Sequence, residues 1–276
     1  MSTISCLVDH LVAAAQHPET SFSLAYQPIF DTSTGEVTSV EALVRWTLDG
    51  TEISTSIFIP IIESLGLVPT IDRFVLRTAS AAAASWPTER RLSVNFSSLS
   101  FGLPDLENLI LKDVEAAGLS HSRLTIELTE TALAAMPKKL FNTLKRLVAG
   151  GFSIALDDFG AGQTSLAQLR YLPLRTLKID RSLVRGAATD RRAIAILTAI
   201  TNLGASLGIV VVAEGIETEA EFALMKELGI PRMQGFLFSP PVALPDLEAS
   251  IAAGTKQILA CPVAGVETLR RKAGSR

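Results

Sequence analysis

The sequence predicts an α/β chain closed into a modified TIM (β/α)8 barrel, with one strand running antiparallel to its neighbours. Three observations carry this. Eight short runs rich in β-branched and aromatic residues alternate with longer helical stretches, the pattern of a parallel sheet with crossover helices. Eight such runs in 276 residues suit an α/β barrel, which takes roughly 250 residues, better than two separate domains. The link between the first two runs is too short for a parallel crossover, so one of them is reversed.

Residues 1–20 read as an amino-terminal helix or extension, residues 21–250 as the barrel, and residues 251–276 as a final helix or solvated tail bearing Arg270, Arg271, Lys272 and Arg276. The first strand is Phe22–Ile29 and the second Val37–Trp46, joined through DTSTGEV, a composition typical of hairpin loops. Ile71–Trp86 is an Ala-rich amphipathic helix ended at Trp86-Pro87, and Arg91–Phe96 is the third strand. Leu124–Leu128 is the fourth strand. Leu140, Leu144 and Leu147 then mark a helix over Lys138–Val148, stopped by Gly150-Gly151. Phe152–Leu156 and Thr176–Ile179 are strands, Arg191–Leu207 is a helix before Gly208, and Ile209–Val212 is a strand. Glu219–Leu228 is a helix before Gly229, and Met233–Phe238 is the eighth strand.

Composition narrows the function. Apolar residues make up 48% and charged residues 19% of the chain, at a mean hydropathy of +0.35, which supports one large core and excludes a disordered chain. A formal charge of −3 offers no basic face for a nucleic-acid polymer. Cys6 and Cys261 lie at opposite ends, and His10, His17 and His121 do not cluster, so neither a disulfide framework nor a thiolate or imidazole zinc site is expected. No run approaches the ~20 apolar residues of a membrane span, and no basic segment precedes Leu11–Ala15. A cytoplasmic protein without membrane contact is the expectation.

Chemistry in such a barrel belongs at the carboxyl ends of the strands. Asn95, Glu127, Asp157-Asp158 and Glu214 fall there, Lys178 and Asp180 lie in TLKID, and Gln234 opens MQGFLF. Period-two alternation puts Glu41, Leu43 and Arg45 on one face of their strand and pairs Lys178 with Asp180. Any one of these carboxylates alone reads most simply as a helix cap or a solvated charge. Together, Glu41, Glu127, Asp157, Asp158 and Glu214 repel one another unless cations intervene, and one lysine cannot offset five negative charges. Carboxylates with an Asn carbonyl are hard oxygen ligands suited to Mg²⁺ or Mn²⁺, and adjacent aspartates suggest two ions sharing one carboxylate. Two metals about 4 Å apart are a common device for attack of water on a phosphodiester.

Glu41-Ala42-Leu43, inside EALVRW, resembles the signature of the EAL domain, a cyclic di-GMP phosphodiesterase family with a modified TIM barrel. The tripeptide is common by chance. Here it stands in order with YQPI (Tyr26–Ile29), VNFS (Val94–Ser97), ELTE (Glu127–Glu130), DDFGAGQTSL (Asp157–Leu166), LKID (Leu177–Asp180), AEGIE (Ala213–Glu217) and QGFLFS (Gln234–Ser239), so the resemblance covers about residues 20 to 245. It implies hydrolysis of cyclic di-GMP to linear pGpG by two-metal-activated water, in a likeness to enzymes that form homodimers. Glu41, Asn95, Glu127 and Asp157 resemble ligands of a first metal; Asp157 bridges to a second held by Asp158, with Glu214 nearby. Lys178 resembles the group that positions the attacking water. Arg45 resembles a phosphate contact; Gln27, Leu43, Asp180 and Gln234 resemble substrate or water contacts; Glu217 supports the site from behind. Glu130 anchors the loop Asp158–Ser165, where Gly160 and Gly162 permit unusual backbone angles. Ala161, Gln163 and Pro240 depart from the family pattern, none at an implied ligand, and bear on loop behaviour and substrate affinity.

Two other readings differ in kind. A family member can hold the dinucleotide as a receptor with little turnover, but receptors usually lack metal ligands that this chain retains. A barrel lysine can also form Schiff bases, which needs a neutral amine that a ring of carboxylates disfavours.

Overall fold

The computed structural model describes residues 3–87, 90–134, 138–161 and 169–252. Its strands are β1 (Phe22–Asp31), β2 (Val37–Leu48), β3 (Thr51–Ile53), β4 (Arg91–Asn95), β5 (Leu124–Thr129), β6 (Ser153–Phe159), β7 (Thr176–Ile179), β8 (Val210–Ala213) and β9 (Arg232–Met233). Eight of them close a barrel in the order β1-β2-β4-β5-β6-β7-β8-β9, with β9 returning to β1 and β3 added outside on β2. β1 is antiparallel to both β2 and β9, and every other barrel pairing is parallel. The short hairpin link requires β1 and β2 to be antiparallel, and the pairings to β9 and β4 show that the reversed strand is β1.

The interior follows strict alternation. Leu124, Ile126 and Leu128 of β5 are buried outward against the helical shell, while Thr125 and Glu127 face inward; Leu177 and Ile179 of β7 alternate with Thr176 and Lys178. Inward positions near the base carry Ser39, Ser93 and Thr125, so this barrel has a hydroxyl-lined interior where β-branched aliphatics commonly fill the space. Aromatic packing lies outside it: Phe22 sits against Trp46, Phe58 and Phe74 at centroid distances of 6.3, 6.0 and 6.5 Å.

Most helices stand where periodicity predicts them. Arg191–Leu207 begins at the Asp190 cap, whose side chain accepts from the Arg192 N–H, and ends on left-handed Gly208 at φ 67°. Glu219–Glu227 opens on a capping box formed by Thr218 and Glu221. The helix expected to start at Ile71 starts at Val68, because Pro69 fits its first turn. Thr3–Gln16 is helical, and Thr55–Ser64, Leu106–Ala116 and Leu244–Ala252 are helices the sequence reading did not single out. The tail Val263–Arg276 lies outside the described residues.

Two strand expectations change. β3 was not anticipated, although Asp49-Gly50, both with positive φ, is the turn signal of a two-residue hairpin. Met233–Phe238 is not a strand: the ladder stops at Met233 and the chain turns at once. Gly235 lies against the Ile216 backbone, the Ile216 N–H donates to the Gln234 carbonyl, and the Leu237 N–H donates to the Ile216 carbonyl. A side chain at 235 would collide with that backbone. Gly235→Ala is accordingly expected to lower folding stability by about 3 kcal/mol, measured as a shifted denaturation midpoint; an unchanged midpoint would show that the crossing relaxes freely.

Candidate metal centre

The mouth is built around Lys178. Its side chain is 1% exposed, and its Nζ lies 3.2 Å from Glu41 Oε2, 2.7 Å from Glu127 Oε2, 3.3 Å from Asp157 Oδ2 and 2.8 Å from Glu214 Oε1. Four strands bring these carboxylates to one level: Glu41 from β2, Glu127 from β5, Asp157 from β6, and Glu214 immediately after β8. Glu214 Oε1 meets the described residues through this ion pair with Lys178.

A second ring of amides fixes Glu41. Asn95 Nδ2 donates to Glu41 Oε1 at 2.8 Å, and Gln234 Nε2 donates to Glu41 Oε2 at 2.8 Å and to Gln27 Oε1 at 2.9 Å. Gln27 donates in turn to the Ser239 carbonyl at 3.0 Å. Gln27 and Glu41 face each other across the β1–β2 pairing, so the reversed strand delivers a neutral hydrogen-bonding group beside the carboxylates.

Asp157 and Asp158 would point to opposite faces of a regular strand. The β6–β7 register shifts between Leu156 and Phe159, and Asp158 adopts a left-handed φ of 56°. That irregularity turns both carboxylates to the mouth, as bulges beside active sites do. Carboxylate oxygens of Glu41, Glu127 and Asp157 lie within 4.8 Å of one another, and those of Asp157, Asp158 and Glu214 do likewise. Asp157 belongs to both sets. Two oxygen-rich clusters sharing one carboxylate fit hard divalent cations and leave the Asn95 carbonyl as a further donor.

Burial and mutual repulsion set the charges. Burial raises the Glu127 carboxyl to about 8, partly opposed by Lys178 and reinforced by Glu41 and Asp157. Burial, then Asp157 and Asp180, lift Asp158 to about 6. Burial works against ionised Glu41 too, but Lys178, Gln234 and Asn95 win and hold it below the ordinary value. Burial opposes the Lys178 ammonium, yet the four surrounding carboxylates hold its pKa well above that of a free lysine.

A carboxyl whose pKa is higher folded than unfolded stabilises the fold fully below the unfolded value and loses that contribution as pH rises through the folded value. For Asp158 and Glu127 the loss runs from about pH 4 through about 6 and about 8. Divalent cations remove the repulsion, so the gap between metal-loaded and metal-free melting temperatures is expected to widen from pH 5 to 8. Thermal melts with Mg²⁺ and with chelator measure it; a gap that narrows contradicts the charge assignment.

The remaining positions lie further out. Arg45 sits on the rim, donating to the Val44 carbonyl and 3.4 Å from Glu52 of β3. Leu43, on the same face, is half-buried. Asp180 caps the turn Arg181–Val184 by accepting from the Ser182 N–H. Glu217 is exposed and is not brought to the cluster; its backbone N–H donates to Glu221. Glu130 is buried and accepts the Gly160 N–H at 3.2 Å, tying down the start of the loop after β6. Gly160 has φ 103°, and a side chain there would meet Leu183. Ala161 is exposed and Pro240 lies after β9, whereas Gly162 and Gln163 fall outside the described residues.

The sequence reading passed over Asp72. It is buried in the helix Val68–Ala84 and accepts from the Ser97 N–H at 2.8 Å and the Ser100 hydroxyl at 2.6 Å, which pins the segment just after Asn95. Burial raises its carboxyl to about 6. The available signal was an acid on the apolar face made by Ile71, Val75, Leu76 and Ala79.

The sequence pattern of the EAL domain matches residues 13–241. A cyclic di-GMP phosphodiesterase, NbdA of Pseudomonas aeruginosa, is 37% identical over 235 residues, covering 83% of this chain and 30% of that protein. An uncharacterised signalling protein of Caulobacter vibrioides is 39% identical over 230 residues, covering 83% of this chain and 28% of that protein. The chain thus spans under a third of the length of these relatives. The solved structure of the PaMucR phosphodiesterase in complex with c-di-GMP superposes with a TM-score of 0.82 at 33% identity, covering 87% of this chain and 99% of that one. With the closed barrel, its reversed first strand and the shared-carboxylate mouth, these matches place the chain in the EAL domain family.

Proposed function

We propose that this chain is a metal-dependent phosphodiesterase that hydrolyses cyclic di-GMP to linear pGpG. The observation that carries the reading is the pair of carboxylate clusters sharing Asp157, with Lys178 between them. The complex of PaMucR with c-di-GMP, a relative matched over nearly its whole length, supports the substrate.

Mg²⁺ or Mn²⁺, held by Glu41, Asn95, Glu127 and Asp157 at one position and by Asp157 and Asp158 beside Glu214 at the other, would supply Lewis acidity to water and phosphate. The protein's own groups do the rest. Lys178 stays an ammonium, so it orients the attacking water and offsets phosphate charge without removing a proton. One P–O3′ bond of the ring breaks as the water oxygen bonds to phosphorus, leaving a 5′-phosphate and a 3′-hydroxyl. Arg45, freed from the exposed Glu52, offers its planar fork to a phosphate at the rim. Gln27 and Gln234 hold Glu41 in register and present amides to substrate or water, Leu43 gives an apolar wall, and Asp180 faces the same opening. Glu217 braces the turn after Glu214, and Glu130 holds the loop after β6 through Gly160.

The division into an extension at 1–20, a barrel at 21–250 and a tail at 251–276 belongs to this proposal, as do assembly as a homodimer and a cytoplasmic location. Among the described residues no helix is long and apolar enough to cross a membrane. Purified chain incubated with cyclic di-GMP and Mg²⁺ or Mn²⁺ should yield pGpG by chromatography, and chelator or Ca²⁺ should stop it. Tight binding without product would make the chain a receptor; neither binding nor product would leave only the fold.

A further inference from the structure

The opposite end of the barrel carries an unexplained concentration of positive charge. Arg91 opens β4, Arg175 precedes β7 and Arg232 opens β9, so three strand starts bring three guanidinium groups to one opening at the base. Arginines in such a position ordinarily find carboxylates. Here none of the three makes an ion pair within 4.0 Å among the described residues, and Arg91 donates only to the Ser153 hydroxyl, at 3.1 Å. Asp31 faces Arg232 across β1–β9 and attracts it without closing an ion pair within 4.0 Å; its Oδ1 accepts from the backbone N–H groups and hydroxyls of Ser33 and Thr34.

Behind the guanidinium groups a narrow cavity runs up the barrel axis to Glu127 and Lys178. Ser39, Ser93 and Thr125 line it, each at least nine-tenths buried and with no hydrogen-bond partner for its hydroxyl among the described residues. Its room of roughly 10 Å³ takes about one water. An oxyanion cannot enter, so it would sit at the mouth, with a water behind it joining it to the hydroxyls. The like charges oppose one another: burial, and after it the neighbouring guanidinium groups, hold Arg91 below the ordinary arginine value, while burial lowers Arg232, Asp31 partly offsets it and Arg175 adds to it. Repulsion of this kind is relieved by an anion.

We infer that the base of the barrel is a phosphate-group site formed by Arg91, Arg175 and Arg232, separate from the metal centre. A guanidinium fork matches phosphate oxygens bidentately, and three forks from separate strands suit a tetrahedral dianion better than a planar carboxylate. The phosphate can be free or the terminal group of a nucleotide.

Inorganic phosphate and GMP, titrated separately by calorimetry into full-length chain in chelator, distinguish those sources. Without metal the catalytic mouth is acidic and repels both ligands. Binding of phosphate alone assigns the site to the free ion, and binding of GMP assigns it to a nucleotide phosphate. In either case Arg175→Gln and Arg232→Gln should each weaken binding by about tenfold or more, as expected for loss of a charge-assisted pair. Both variants should keep their circular dichroism and their metal-dependent turnover. Arg175 is exposed, so its variant tests the site even if changes at half-buried Arg91 or Arg232 disturb folding. Absence of binding at millimolar ligand, unchanged affinity in Arg175→Gln, or binding that appears only when metal is added would overturn the assignment.

Discussion

Asp157→Ala should abolish metal-dependent turnover of cyclic di-GMP, by at least about a thousandfold, equivalent to about 4 kcal/mol of transition-state stabilisation. Among the described residues no other enters both carboxylate clusters, so its loss removes a ligand from each. Its Oδ1 also accepts the Asp158 N–H at 2.9 Å, and its Oδ2 faces Lys178. The substitution thus frees the Asp158 backbone at the turn that aims that side chain inward. Folding should survive, because removing one of four carboxylates around one ammonium lessens repulsion. Steady-state turnover with Mg²⁺ and Mn²⁺, alongside circular dichroism, tests both halves. Glu41→Ala should act similarly through the first cluster alone. Activity within tenfold of the parent in a folded Asp157→Ala chain would mean the metal assignment is wrong.

Lys178→Met should be the most destabilising change at the site. It leaves Glu41, Glu127, Asp157 and Glu214 facing one another in a buried space without their shared cation. Removing one partner of a buried charge group costs about 3–5 kcal/mol. Protonation of Glu127 relieves part of that strain, and less of it as pH rises toward 8. Denaturant titration in chelator should therefore show a large loss at pH 8 and a smaller one at pH 6. Mn²⁺ should restore much of the stability by replacing the missing positive charge, while turnover stays low because no group then positions the water. A variant as stable as the parent in chelator at pH 8 would show that the carboxylates are already neutral.

What the sequence made legible depended on how local the cause was. Glu127 could be read at its strand end from LTIEL alone, and alternation within TLKID put Lys178 on one face with Asp180, since a strand has only two faces. The hairpin composition between Ile29 and Val37 was enough to make the first two strands antiparallel, and the pairing of β1 with β9 shows which of them is reversed. Adjacency alone suggested that Asp157 and Asp158 share a site, but period-two logic sends them apart, and the register shift that unites them depends on β7. Gln234 was expected at the opening of a strand and lies at its end, since Gly235 answers to the Ile216 backbone, remote in sequence. Asp72 went unnoticed for a related reason: its partners Ser97 and Ser100 are on another segment, and nothing in the helix itself announces them. Arg45 and Asp180 were read at the mouth, and their hydrogen bonds to Val44 and Ser182 are the ordinary structural contacts that such residues make when nothing else is bound.

The reversal of β1 also decides from which side the barrel can be pushed. In an all-parallel barrel the chain enters at the base, away from the chemistry. Here Phe22 pairs with Trp46, beyond Glu41 on β2, so the chain enters level with the rim and runs down to Asp31. The helix Thr3–Gln16, with Leu11, Ala14 and Ala15 buried in the core, therefore leads through the short turn Pro18–Ser21 into the rim end of the strand that carries Gln27. Motion of that helix meets the rim end of β1, the strand that carries Gln27, before it meets the base. An ordinary barrel entrance would dissipate the same motion across a full strand length.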